Sequence, residues 1–195
     1  MATVSFAGDS DDPWVLLGDL RDHLEATPRK ASFVQTYQPA GFSSGDQEGG
    51  HLYLALPKCV RWEYDEPYPK VFLLCENVIY TWNPGDQAGR RFLLTDSEEP
   101  GIDLLRLQLD DLRERYEARL EKGQDGSVDV VLSPVSQNST ITEARIGLEA
   151  LSHDLSSLTY RDLEGNISRF DISGYDLFDG ADRFDPPSEL DWLDQ

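Results

Sequence analysis

The chain has 195 residues, with 37 acidic against 17 basic side chains and a formal net charge of −20. Hydrophobic residues make up 39% and aromatics 10%, enough for a sizeable core in one domain, or at most two small ones. The charge argues against a free-standing nucleic-acid binder, which needs a basic footprint to displace counterions, and against charge-driven binding to an anionic membrane. No apolar run approaches the ~18 residues of a membrane-spanning helix.

The acids are 23 Asp and 14 Glu, and the bases are 13 Arg and only 4 Lys. Acid-rich, Lys-poor surfaces are one solution to solubility in high salt, where dense salt screens self-repulsion. The composition points to a salt-loving source, with an ordinary acidic protein as the plainer alternative. Residues 1–12 are small, polar and acidic, are expected to be mobile, and lack the positive and apolar regions of a signal peptide. The protein is then either cytoplasmic or a mature chain carrying a start Met.

Asp11-Asp12-Pro13 gives a helix start, with an acidic N-cap and Pro in the first turn. Trp14, Leu17, Leu20 and Leu24 line one face of a helix of about 14 residues that ends before Pro28. Short strands follow over 31–38, 51–56, 59–64, 71–75, 78–82 and 91–95, separated by Gly-, Pro- and Asn-rich turns. A second helix is expected after Ser97-Glu98-Glu99-Pro100, with Ile102, Leu105, Leu109 and Leu112 on one face and Leu104 and Leu107 widening it. Strands resume over 116–120, 128–132, 141–148, 155–160 and 167–172. The tail from Gly174 is acidic and aromatic and can add a final edge strand before ending loosely, with 188–195 as an acidic tail.

The sum is a mainly β (α+β) fold in one domain over 1–195: about 11 strands in a strongly curved antiparallel sheet, with 13–187 as its body. So long an antiparallel sheet tends to curl, and its inner face must be covered. The two apolar-faced helices are the available cover, and a barrel-like sheet with helices in its mouth is a natural apolar ligand site.

The segment from Gly50 to Pro67, with Phe33-Val34-Gln35 before it and Tyr80-Thr81-Trp82-Asn83-Pro84 after it, resembles the LolA-type periplasmic outer-membrane lipoprotein carriers. In that family a helix precedes an F-x-Q strand. A G-x-L strand then runs to a Pro and an aromatic-rich strand, and a Pro-led helix and an L-x-P strand end follow. Here the last two are Pro100 to Leu105 and Val131 to Pro134, and Phe184-Asp185-Pro186-Pro187 is similar to the family's C-terminal segment. The resemblance spans about residues 13–187 and rests on the order of six weak motifs.

The resemblance implies a half-open β-barrel with a helical lid over an apolar cavity. It implies a periplasmic carrier, its signal peptide removed, that shields lipoprotein acyl chains between inner and outer membrane without covalent chemistry. Its partners would be acylated lipoproteins, an inner-membrane lipoprotein-releasing ABC transporter and an outer-membrane acceptor. The chain would act as a monomer, without cofactor, metal or nucleic acid. An envelope-stress regulator of the RseB type is the second reading, although such proteins usually carry a further C-terminal domain. A lipid-acting enzyme is the third. One departure matters: the best-known carriers have an Arg before the Pro that latches the lid, and the matching residue is Leu56. Arg106 could offer another polar contact.

Val60, Trp62, Tyr64, Phe72 and Leu74 share one sheet face if Tyr64 pairs with Lys70, and are candidate cavity wall or ordinary core. Leu17, Leu20, Leu24, Ile102, Leu104 and Leu105 are candidate lid residues. The same register sets Cys59 opposite Cys75 on the other face, where either a disulfide or two half-buried thiols would fit; the thiols are the favoured state, because the register is inferred. His23, His51 and His153 are scattered, and Asp176 to Asp185 lacks a calcium-loop pattern. No nucleophile elbow or Gly-rich phosphate loop occurs. The sequons at Asn138 and Asn166 recur by chance.

Overall fold

The structure is a computed structural model and describes residues 12–65, 67–93, 104, 109–122, 127–149, 152 and 154–194. Helix α1 (Pro13–Glu25) starts as its sequence dictates. The Asp12 carboxylate accepts from the Trp14 N–H at 2.9 Å, and Pro13 takes the position where no N–H is needed. Helix α2 (Leu109–Arg115) has Asp110 and Asp111 in its first turn and Arg113 and Arg115 in its last, both favourable to the helix dipole. The expected start of the second helix, with Ile102, Leu105 and Arg106, lies outside the described residues; Leu104 is described and is buried.

Among the described residues twelve strands form one sheet: β1 (Arg29–Gln38), β2 (Asp46–Ala55), β3 (Cys59–Tyr64), β4 (Lys70–Cys75), β5 (Val78–Trp82), β6 (Ala88–Leu93), β7 (Tyr116–Lys122), β8 (Val128–Pro134), β9 (Ile141–Leu148), β10 (Leu155–Asp162), β11 (Ile167–Leu177) and β12 (Asp191–Asp194). The order is β12-β6-β5-β4-β3-β2-β1-β11-β10-β9-β8-β7, with edges at β12 and β7, so the sheet does not close on itself. It is two meanders of consecutive hairpins, β1–β6 and β7–β11, joined by one long-range pairing of β1 with β11. All neighbours run antiparallel except β12 with β6.

The expected register is observed: Tyr64 pairs with Lys70 and Cys59 with Cys75. Gly50 lets β2 approach β3 closely, because a Cβ there would overlap the Glu63 carbonyl oxygen and crowd Tyr64 Cα at 3.0 Å. Period-2 alternation then sorts the two faces. The inner face carries Ala31 and Phe33, Leu52 and Leu54, Val60 and Trp62, Val130 and Leu132, Ala144 and Ile146, Leu158, and Phe170 and Ile172. With Leu17, Leu20, Leu24, Leu104, Leu109 and Leu112 of the helical side they form one core.

Two expectations need correction. The final edge strand open to the tail is present, but it lies at Asp191–Asp194, within the segment 188–195 read as an acidic tail, and it is parallel to its neighbour. Trp192 lies over Gly89, where any Cβ would collide with its ring, and meets Tyr80 and Trp82 edge-on at 5.1 and 5.8 Å. Its indole N–H donates to the Pro187 carbonyl at 3.2 Å, and Arg91 pairs with Asp194. The chain end thus buries the outer face of the first meander, where Val71, Leu73 and Trp82 pack against Phe184, Leu190 and Trp192. The second correction concerns the cysteines: they are joined as a disulfide across the β3–β4 pair, Cα to Cα 4.2 Å, and are not two thiols. Directly opposed residues of neighbouring antiparallel strands are near enough for such a bridge.

Candidate functional site

The inner face is not uniform along its strands. Under α1 it is aliphatic and filled: Leu17, Leu20, Leu24, Leu52 and Leu54 are each at most 1% exposed. Following the same face away from the helices, β1 runs Phe33, Gln35, Tyr37; β2 runs Leu52, Gly50, Glu48, Asp46; and β4 runs Leu74, Phe72, Lys70. Apolar side chains thus give way to aromatic and then polar ones. The packing stops where the polar residues begin, and a cleft of about 650 Å³ opens there.

Its floor is aromatic. Trp62 meets Phe33 edge-on at 4.8 Å and Phe170 at 4.9 Å, and Tyr64 meets Phe33 at 5.0 Å and Phe72 at 5.8 Å. Leu158 and Tyr160 of β10 complete one wall, with Tyr37 and Tyr68 at the mouth. Tyr68 sits in the β3–β4 turn and is 72% exposed. The Tyr64 hydroxyl donates to Gln35 Oε1 at 2.6 Å, which fixes the ring and spends the amide oxygen. Lys70 Nζ donates to both Glu48 oxygens, at 2.9 and 2.7 Å, and lies 4.4 Å from the Tyr64 ring centre. This ion pair spans β2 to β4 over the ring of the strand between them. Asp46 and Gln47 finish the polar collar.

Of the candidate residues, Trp62, Tyr64 and Phe72 line this cleft. Leu17, Leu20, Leu24, Val60, Leu74 and Leu104 are buried and are not among its lining residues. Ile102 and Leu105 lie outside the described residues. Sequence reasoning missed Gln35, Tyr37, Glu48, Lys70, Tyr68, Tyr160 and Phe170. The available signal was alternation carried past the apolar stretch of β1 and β2, together with the β1–β11 pairing that brings Phe170 beside Gln35.

A second polar feature ties the helix to the sheet. His23 Nε2 sits 3.0 Å from Asp154 Oδ1, and Arg29 Nη1 donates to the same oxygen at 3.3 Å. Leu56, at the position of the carriers' latching Arg, is simply core, at 7% exposure. On the outer face Arg61 is buried beneath the chain end. It pairs with Glu63 at 2.6 Å, donates to the Arg183 carbonyl at 2.7 Å and lies 5.0 Å from the Trp82 ring. Burial lowers its pKa, with the Glu63 carboxylate working against that shift. Among the described residues no group of three or more His, Cys, Asp or Glu side chains is gathered as metal ligands would be.

Solved structures share this architecture. A LolA-superfamily protein of Nitrosomonas europaea aligns over 93% of this chain and 100% of its own, at 10% identity and a TM-score of 0.50. A conserved protein of Thermus thermophilus aligns over 92% and 97%, at 11% identity and a TM-score of 0.57. MucB in the MucA/MucB complex of Pseudomonas aeruginosa aligns over 91% of this chain and 62% of its own, at 12% identity and a TM-score of 0.53. At such identities these likenesses define the fold as LolA-like. A search of curated protein sequences returns no significant match. The family profile for the outer membrane lipoprotein carrier protein LolA matches residues 25–180, and the chain belongs to that family.

Proposed function

We propose that the protein is a periplasmic carrier that takes the acyl chains of lipoproteins against the inner face of its half-open sheet and moves them from inner to outer membrane. It acts by binding and not by catalysis. The observation that carries this reading is the continuity of the inner face: one aromatic and aliphatic surface runs from the open cleft to the leucines under α1. Each buried methylene is worth about 0.8 kcal/mol, so a surface of this kind binds acyl chains strongly without any covalent step.

Size supports a lid role for α1. A methylene fills about the volume of a water molecule, ~30 Å³, so a sixteen-carbon chain needs roughly 500 Å³. The cleft of about 650 Å³ takes one such chain. A triacylated anchor needs the space now filled by Leu17, Leu20 and Leu24, so α1, and with it Leu104, must lift from the sheet. The donor is then a lipoprotein-releasing transporter of the inner membrane and the receiver an outer-membrane acceptor.

The test is titration with a triacylated lipopeptide and its non-acylated twin, read by tryptophan fluorescence. Saturable binding of the acylated form alone is expected. Failure of both to bind the folded protein would sink the reading. An envelope-stress regulator is the second reading, favoured by the shared fold with MucB; it requires that the chain bind a membrane anti-sigma factor.

A further inference from the structure

The collar of the cleft carries charge, and its arrangement bears on which amphiphiles enter. Three charged side chains line the cleft among the described residues: Asp46, Glu48 and Lys70. Lys70 is the one cation, and it is already engaged. Its ammonium donates to both Glu48 oxygens and faces the Tyr64 ring. Asp46 is exposed on the same rim and has no basic partner among the described residues. An anionic head placed here would have to strip Lys70 from Glu48, leaving that carboxylate beside it, and would still face Asp46. Like charges at such distances repel by an amount that decides affinity in a half-buried site.

A neutral head meets no such conflict. The Tyr37 and Tyr68 side chains and the amide nitrogen of Gln35 line the cleft as uncharged hydrogen-bonding groups. A cationic head meets two carboxylates, Asp46 and Glu48, against the single Lys70 ammonium, so the net charge of the described collar attracts it.

We propose that this collar selects amphiphiles by head charge, admitting uncharged and cationic heads and rejecting anionic ones. The inference rests on the acyl-binding reading above and deepens it. A triacylated cysteine anchor is uncharged at its amide, thioether and ester groups, whereas acidic phospholipids carry a phosphate. The collar therefore lets a carrier take a lipoprotein anchor from a membrane without filling with anionic lipid. The charge of the collar, rather than the shape of the apolar floor, makes that distinction.

The test uses three single-chain probes with one tail: dodecyl maltoside, dodecyltrimethylammonium and dodecyl phosphate. Each is titrated calorimetrically below its critical micelle concentration into the full chain. A twelve-carbon tail needs roughly 360 Å³ and fits the cleft without displacing α1. The maltoside and ammonium probes should bind about tenfold or more tighter than the phosphate at low salt, and the gap should shrink in molar salt. Asp46→Asn, at an exposed position, should narrow the gap while leaving the melting temperature unchanged. Glu48→Gln releases Lys70, and the phosphate probe should then gain about tenfold over its affinity for the unaltered chain. Equal binding of all three heads, or tightest binding of the phosphate, overturns charge selection and leaves acyl binding standing. Binding of none refutes acyl binding in the cleft, and the selection falls with it.

Discussion

Leu20→Ala separates a lid from a fixed core element. Leu20 is fully buried between α1 and the inner face of the sheet. Truncating such a leucine costs about 2–5 kcal/mol, part from lost transfer and part from the cavity left behind. Taking ~3 kcal/mol, the closed state is weakened by that amount, and a state with α1 lifted has little of the contact to lose. If triacyl binding requires lifting, the closed-to-open gap shrinks by the same ~3 kcal/mol, and apparent affinity rises by up to ~100-fold. The dodecyl maltoside probe fits the cleft as it stands, so its affinity should hold within about twofold. The assay is paired: thermal melting for stability, and titration of the variant with the triacylated lipopeptide and with the single-chain probe. A fall in melting temperature with unchanged or weaker lipopeptide binding would refute the reasoning, because α1 would then be a permanent part of the core.

Other perturbations bear on the scaffold. Gly50→Ala drives a Cβ into the Glu63 carbonyl, and denaturant unfolding should show a loss of about 1–3 kcal/mol; a neutral result would contradict the close β2–β3 approach. The Cys59–Cys75 bridge closes a short loop, at a sequence separation of 16, and the paired Cys→Ser change should lower stability by about 2–3 kcal/mol while the untreated protein shows no titratable thiol. With a formal charge of −20, self-repulsion opposes compaction, so the melting temperature should climb from low to molar KCl; a flat profile would remove the salt-adaptation reading. At Asp162, burial works to raise the pKa, but hydrogen bonds from the Asn166 amide and from the N–H groups of Asn166, Glu164 and Gly165 outweigh it and hold the pKa below its ordinary value. Its contribution is thus fully present above about pH 4 and is lost as pH falls through the lower folded value, and Asp162→Asn should flatten that part of the acid-unfolding curve.

Local rules explain what could be read in advance. Asp12 before Pro13 and leucines at helical spacing define α1, and strict alternation from Cys59 to Tyr64 defines β3 with its faces. The turn between β3 and β4, by pairing Tyr64 with Lys70, sets the register that places Cys59 opposite Cys75. These features depend on residues a few positions apart, so the amino-acid order alone determines them, and with them the mainly β fold and its family.

Contacts between distant segments are another matter. Alternation told which side chains share a face of β3 and β4, but not that the helices fill that face at one end and leave it open at the other. Phe170 reaches the floor of the cleft only because β11 pairs with β1, more than a hundred residues away in sequence. Glu48 and Lys70 look like two surface charges until β3 sets them on either side of the Tyr64 ring. The acidic chain end reads as solvent-facing, yet Trp192 finds the one place on β6 where Gly89 offers no side chain. Similarly, His23 and Arg29 meet Asp154 only in the folded chain. Sequence determined the elements and their apolar faces because those obey short-range periodicity. The tertiary structure alone decided where packing ends, because an open cleft is a property of the volume enclosed between elements and of no single segment.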